Sequence, residues 1–120
     1  MKRIYDMSAT ESEVMEKLWD QGECVRQSQL LDLFAEEGKV WKRQTLNTFL
    51  KRLEEKKLVK RENRLVKAVY SREDYNCMQM KEVIDQKYGG KLSNFVAAFA
   101  KKNGIDEEDA EALTKILEDY

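Results

Sequence analysis

Trp41-Lys42-Arg43-Gln44-Thr45-Leu46-Asn47-Thr48-Phe49-Leu50-Lys51-Arg52-Leu53-Glu54-Glu55-Lys56-Lys57 runs directly into Leu58-Val59-Lys60-Arg61-Glu62, then Asn63-Arg64, then Leu65-Val66-Lys67-Ala68-Val69-Tyr70. Helical residues advance by about 100° each, so Leu46, Phe49, Leu50 and Leu53 cluster within about one quadrant of a helix. Gln44, Asn47, Thr48 and Lys51 then point the opposite way. The two short stretches behind the helix carry β-branched residues and basic tips. They read as a two-stranded edge ribbon, although Asn63-Arg64 is a poorer turn signal than Asn-Gly.

Two helical segments precede this run. Ser8 and Glu11 have the spacing of a capping box, and Val14, Met15, Leu18 and Trp19 form a stripe closed by Gly22. A second helix spans about Gln27 to Glu37, with Leu30, Leu31, Leu33 and Phe34 as its apolar face and Gly38 at its end. Two helices, a third that is basic, and a hairpin describe a winged helix-turn-helix, in which the last helix of the pair enters the major groove of DNA.

After Arg72 the texture changes. Asp74 is placed to cap a helix reaching about Lys87, which Tyr88-Gly89-Gly90 breaks. Leu92, Phe95, Val96 and Phe99 mark a short helix. Asp106 caps a last one, with Ile105 set to staple against Ala110. These 48 residues from Glu73 to Tyr120 are too few to bury a core of their own. Their apolar positions, Tyr75, Val83, Ile84, Phe95, Phe99, Leu113 and Leu117, therefore call for a partner surface, most simply the same segment of a second chain. The expected fold is mainly α with a small β-hairpin: a winged-helix DNA-binding domain over residues 1–72 and a helical dimerisation domain over 73–120.

Charge follows the same division. The whole chain carries only −1, but Lys39 to Arg72 holds twelve Lys/Arg against three acids, and Glu73 to Tyr120 six bases against eleven acids. A basic block beside an acidic one suits a polyanion-facing part next to a part that avoids it. Histidine is absent. That removes imidazole acid–base catalysis, the usual Ser and Cys triads and Cys/His zinc sites. Cys24 and Cys77 lie far apart, in no metal-ligand spacing, and no Gly-rich phosphate loop follows a strand. Neither an enzyme nor a cofactor is expected. No stretch approaches the roughly 18 apolar residues of a membrane span, and there is no apolar leader. With free thiols, this fits a cytoplasmic location.

The outward face of the third helix has the chemistry of base readout. Asn and Gln pair with adenine, Arg and Lys with guanine, and Thr can touch a thymine methyl. Gln44, Asn47, Thr48 and Lys51 are the expected base readers. Lys42, Arg43, Arg52, Lys60, Arg61, Arg64 and Lys67 are the expected phosphate contacts. Double-stranded DNA is the expected partner, since readers of single-stranded RNA more often display aromatic residues on a sheet. A winged helix can also serve as a protein–protein adaptor, so the fold alone leaves that alternative open.

Several motifs resemble the penicillinase-repressor family. Glu11-x-x-Val14-Met15-x-x-Leu18-Trp19 is similar to its opening helix, and Thr45-x-x-Thr48-x-Leu50-x-Arg52-Leu53-x-x-Lys56 to its recognition helix. Tyr70-Ser71 matches the end of its wing, and Tyr88-Gly89-Gly90 with Phe99 its C-terminal dimerisation segment. The resemblance covers about Ser8 to Tyr120. It implies a homodimeric bacterial repressor of antibiotic-resistance or copper-homeostasis genes, bound to an inverted-repeat operator of TACA/TGTA type. In the members that answer to β-lactams, a regulatory protease cleaves an Asn-Phe bond in the C-terminal domain. Here the aligned bond is Ala98-Phe99, with Asn94-Phe95 one helical turn earlier, and no cysteine follows Cys77. Cleavage at Ala98-Phe99 is therefore not expected, nor is copper as the signal. Lys42 stands where a small capping residue is usual, and Lys57 where a turn glycine is frequent.

Overall fold

The Ser8 hydroxyl accepts from the Glu11 amide at 3.1 Å, and the Glu11 carboxylate accepts from the Ser8 amide at 3.1 Å. This reciprocal box starts α1, Ala9–Asp20. The structure, a computed structural model, describes residues 6–22 and 24–120, so the first five residues of the expected N-terminal domain lie outside it. Beyond α1 come β1 (Cys24–Arg26), α2 (Gln27–Glu36), α3 (Arg43–Glu55), β2 (Val59–Glu62), β3 (Leu65–Ala68), α4 (Arg72–Lys87), α5 (Leu92–Asn103) and α6 (Glu107–Asp119). The mainly helical winged fold expected from the sequence is present, with one addition. The wing has three strands, in the order β1-β3-β2, both pairings antiparallel. Three residues of β1 carry too little pattern to announce a strand. Pairing with β3 is what makes them one, with Val25 opposite Val66.

One face of each element closes the core. Val14, Met15 and Leu18 of α1, Leu30 and Phe34 of α2, and Leu46, Leu50 and Leu53 of α3 are buried. So are Val25, Leu58, Val59, Val66 and Ala68 from the sheet region. Leu31 and Phe49 pack at its margin. Along β3 burial alternates, so that Val66 and Ala68 face in while Leu65 and Lys67 face out.

α2 and α3 end alike. Past α2, the Lys39 amide donates to Phe34 and the Gly38 amide to Ala35; past α3, the Leu58 amide donates to Leu53 and the Lys57 amide to Glu54. Both are Schellman caps, whose C′ residue must take a positive φ. Gly38 does so at 88° without a side-chain penalty, but Lys57 does so at 61°. A left-handed non-glycine residue costs about 1–2 kcal/mol, so the turn forms because the leucines on either side are buried.

Glu11 is a buried acid, 3% exposed. Lys56, the C-cap of α3, places its ammonium 2.6 and 2.8 Å from the two carboxylate oxygens. Burial alone would push the Glu11 carboxyl up, but the Lys56 ammonium and the Ser8 amide outweigh it and hold it below its ordinary value. A group depressed in the folded state contributes stability that is full above its unfolded pKa and is lost as pH falls through the folded one. Glu11→Gln is expected to flatten the acid limb of the stability curve, read by denaturant unfolding from neutral pH downward. An acid limb unchanged in the variant would assign it to other carboxylates.

Contacts divide the chain into two compact units, Met1–Gln79 and Met80–Tyr120, so this division falls in the middle of α4. The reason lies in the first turns of α4. Ser71, not Asp74, caps the helix, its hydroxyl accepting from the Asp74 amide at 3.1 Å. Arg72 pairs with Glu16 and Asp20 and lies over the Trp19 ring. Tyr75 is 3% exposed, its ring 5.7 Å from that of Trp19, whose indole donates to the Tyr70 carbonyl at 2.9 Å. Tyr75, expected at a dimer interface, is thus already covered by its own subunit.

The second unit is built differently. Tyr88 and Phe95 meet edge to face at 5.4 Å, Phe95 and Phe99 at 6.2 Å, and the Asn94 amide donates to the Tyr88 carbonyl. Asp106 caps α6 through the Asp109 amide. No residue of α5 or α6 is buried. Leu92, Phe99, Leu113, Ile116 and Leu117 are exposed, Leu117 by 70%. Both the Asn94-Phe95 and Ala98-Phe99 bonds lie within α5.

Candidate nucleic-acid interface

Burying Leu46, Leu50 and Leu53 turns the opposite side of α3 outward. Gln44, Asn47, Thr48 and Lys51 are all exposed there. The Thr48 hydroxyl donates to the Gln44 carbonyl at 3.0 Å, so its hydrogen is committed to the helix. The start of α3 has no side-chain cap, because Lys42 offers no acceptor. Aromatic packing holds it instead: Trp41 stacks on Phe34 at 4.3 Å and meets Phe49 at 5.4 Å. That contact is what frees Lys42 and Arg43 to be exposed at the helix entrance. Arg52, also exposed, lies 5.7 Å over the Phe49 ring.

The wing presents a second basic surface. Lys60 and Lys67 are directly opposite one another across β2 and β3, and both are exposed. Like charges so placed destabilise a ribbon in water and become favourable against a polyanion. At the tip, Asn63 and Arg64 both have positive φ, 52° and 66°. This is the requirement of a type I′ turn, the tight connection that matches strand twist. Asn accepts such a conformation; Arg pays for it in strain, and glycine would not. An arginine held where glycine suits the backbone points to work done by its side chain. Arg64→Gly is expected to raise unfolding stability by about 1 kcal/mol and to weaken DNA binding. Denaturant unfolding and a duplex titration on the same protein check both signs; a loss of stability would show that the turn is not strained.

Between the wing tip and the entrances of α2 and α3 lies a cavity of about 500 Å³, lined by Arg26, Ser28, Leu31, Arg43 and Arg64 among others. None of these three arginines has an ion-pair partner among the described residues. Arg26 was not legible as part of a basic surface, since it precedes the charged block. It arrives there because β1 pairs with β3, setting Arg26 opposite Leu65, and because the Gln27 amide donates to the Arg64 carbonyl at 3.1 Å. A basic residue just before a predicted helix start was the one available signal.

Arg61 does not join the outward cations. It shares its side of β2 with buried Val59, which turns it towards α3. There it pairs with Glu54 and donates to the Asn47 amide oxygen. Arg61, one of the expected phosphate contacts, thus has its guanidinium engaged within the subunit.

Among the described residues no cluster of His, Cys, Asp or Glu could hold a metal ion, and no helix is long and apolar enough to cross a membrane. No individually curated protein matches the chain. A family model described as penicillinase repressor matches residues 7–119, spanning the wing, α3 and the C-terminal helices together. The chain belongs to the penicillinase repressor family.

Proposed function

We propose that this protein is a homodimeric repressor that binds an inverted-repeat operator, placing α3 of each subunit in a major groove. Family membership supports the coarse assignment, a DNA-binding transcriptional regulator rather than an enzyme. The observation that carries the finer reading is the exposed face Gln44-Asn47-Thr48-Lys51, flanked by the apposed Lys60 and Lys67 and by the cavity lined by Arg26, Arg43 and Arg64. Base edges are read from the first surface, and phosphates are held by Lys42, Arg43, Arg52, Lys60, Arg64, Lys67 and Arg26. The second chain is argued from the C-terminal unit, whose apolar side chains stay exposed within one subunit. A two-fold dimer presents two identical helices, so the site must offer two related half-sites.

The test is a pair of substitutions compared on selected and random duplexes across a salt series. Lys60→Ala is expected to weaken both duplexes alike and to lower the salt slope by about one. Lys51→Ala is expected to cost about 1–3 kcal/mol on the selected duplex alone. Equal weakening of both duplexes by Lys51→Ala would remove it from the readers. A protein adaptor would not show the Lys51→Ala pattern, because any retention it had on DNA would not depend on sequence.

A further inference from the structure

We infer that Arg61 positions Asn47 for base readout, through a relay of Glu54, Arg61 and Asn47, and does not clamp a phosphate; this rests on the DNA-binding reading above. Glu54 and Asn47 lie seven residues apart on α3, two turns along the edge that faces β2. Arg61 Nε donates to Glu54 Oε1 at 2.7 Å, and Nη2 reaches the same oxygen at 2.5 Å. Nη1 donates to Asn47 Oδ1 at 2.5 Å. The guanidinium side chain is only 23% exposed. One planar cation therefore ties the recognition helix to the wing at two points.

The chemistry decides which way the amide faces. A guanidinium has donors and no acceptor, so it selects the oxygen of Asn47 and rejects its NH2. The terminal torsion of asparagine is soft, and an unheld amide can present either end to a base. With Oδ1 held on one lone pair, the NH2 and the second lone pair remain, oriented, for a partner in the groove. That pair of groups matches the N7 acceptor and N6 donor of adenine. Glu54 is essential because it anchors the guanidinium, and a DNA phosphate would have to displace a carboxylate already in place.

The full chain is first used to select duplexes from a randomised pool. Asn47→Ala then identifies the base pair that Asn47 reads, expected to be A·T. At that pair, Arg61→Lys and Glu54→Gln should each lower discrimination about fivefold or more, with thermal unfolding and the salt slope close to wild type. Lysine keeps the charge but cannot bridge two partners in one plane. Glu54→Gln removes a negative charge, so it should tighten binding to random duplex even as discrimination falls. In an Asn47→Ala background, Arg61→Lys should lower discrimination no further. The relay is overturned if Arg61→Lys discriminates like wild type, if Arg61→Gln lowers the salt slope by about one without altering discrimination, or if the two effects simply add. A pool that yields no enriched sequence would overturn the DNA reading itself, and the relay with it.

Discussion

Ending the chain after Gln79 is expected to leave a folded monomer whose affinity for an inverted-repeat duplex is lower by a factor of about 10²–10⁴. The cut is placed by the structure. Arg72 and Tyr75 belong to the first unit, through Glu16, Asp20 and Trp19, so a cut at residue 72 would damage the DNA-binding half itself. A cut at 79 removes α5, α6 and the later turns of α4, which carry the exposed Phe99, Leu113 and Leu117. Without them, two half-sites no longer bind as one unit, and the effective concentration that joins them disappears. Sedimentation reads the association state, and titration of full and half operators reads the affinity. A truncated chain that still sediments as a dimer would place the interface elsewhere.

Phe34→Ala should be the most damaging single truncation in the core, at about 3–5 kcal/mol. A domain of this size has about 5–15 kcal/mol in all, so much of the population would unfold on mild heating. Phe34 is fully buried, and its loss removes the ring on which Trp41 stacks, over which Lys17 also lies at 5.1 Å. Trp41 in turn anchors an α3 entrance that has no side-chain cap. DNA binding should therefore fall further than the unfolded fraction alone explains, because folded molecules also lose the fixed position of Lys42 and Arg43. Denaturant unfolding with a duplex titration at low temperature separates the two effects. Val40→Ala, at an 82% exposed position two residues after the α2 turn, should stay within about 0.5 kcal/mol of wild type. A Phe34→Ala cost below about 1 kcal/mol would show that the aromatic stack does not organise the helix entrance.

Much of this protein is determined by local rules. The period of Leu46, Leu50 and Leu53 sets which side of α3 is buried, and so which residues face out, whatever the helix packs against. The Ser8–Glu11 box and Gly38 mark helix ends through bonds that span only a few residues. The basic block and the family motifs are likewise properties of the chain in one dimension, and residues 7–119 match the family accordingly. What only the tertiary structure decided depends on partners distant in sequence. Cys24-Val25-Arg26 becomes a strand because β3 lies beside it, 41 residues on by the Val25–Val66 pairing, and Arg26 thereby reaches the wing tip. Tyr75 joins the core of its own subunit because Trp19 meets it. Arg61 carries the same charge as Lys60, but the alternation of β2 turns it inward to Glu54 and Asn47 while its neighbour faces out. Charge and periodicity can be read along a chain; which cation is left unpaired is set by what the fold puts next to it.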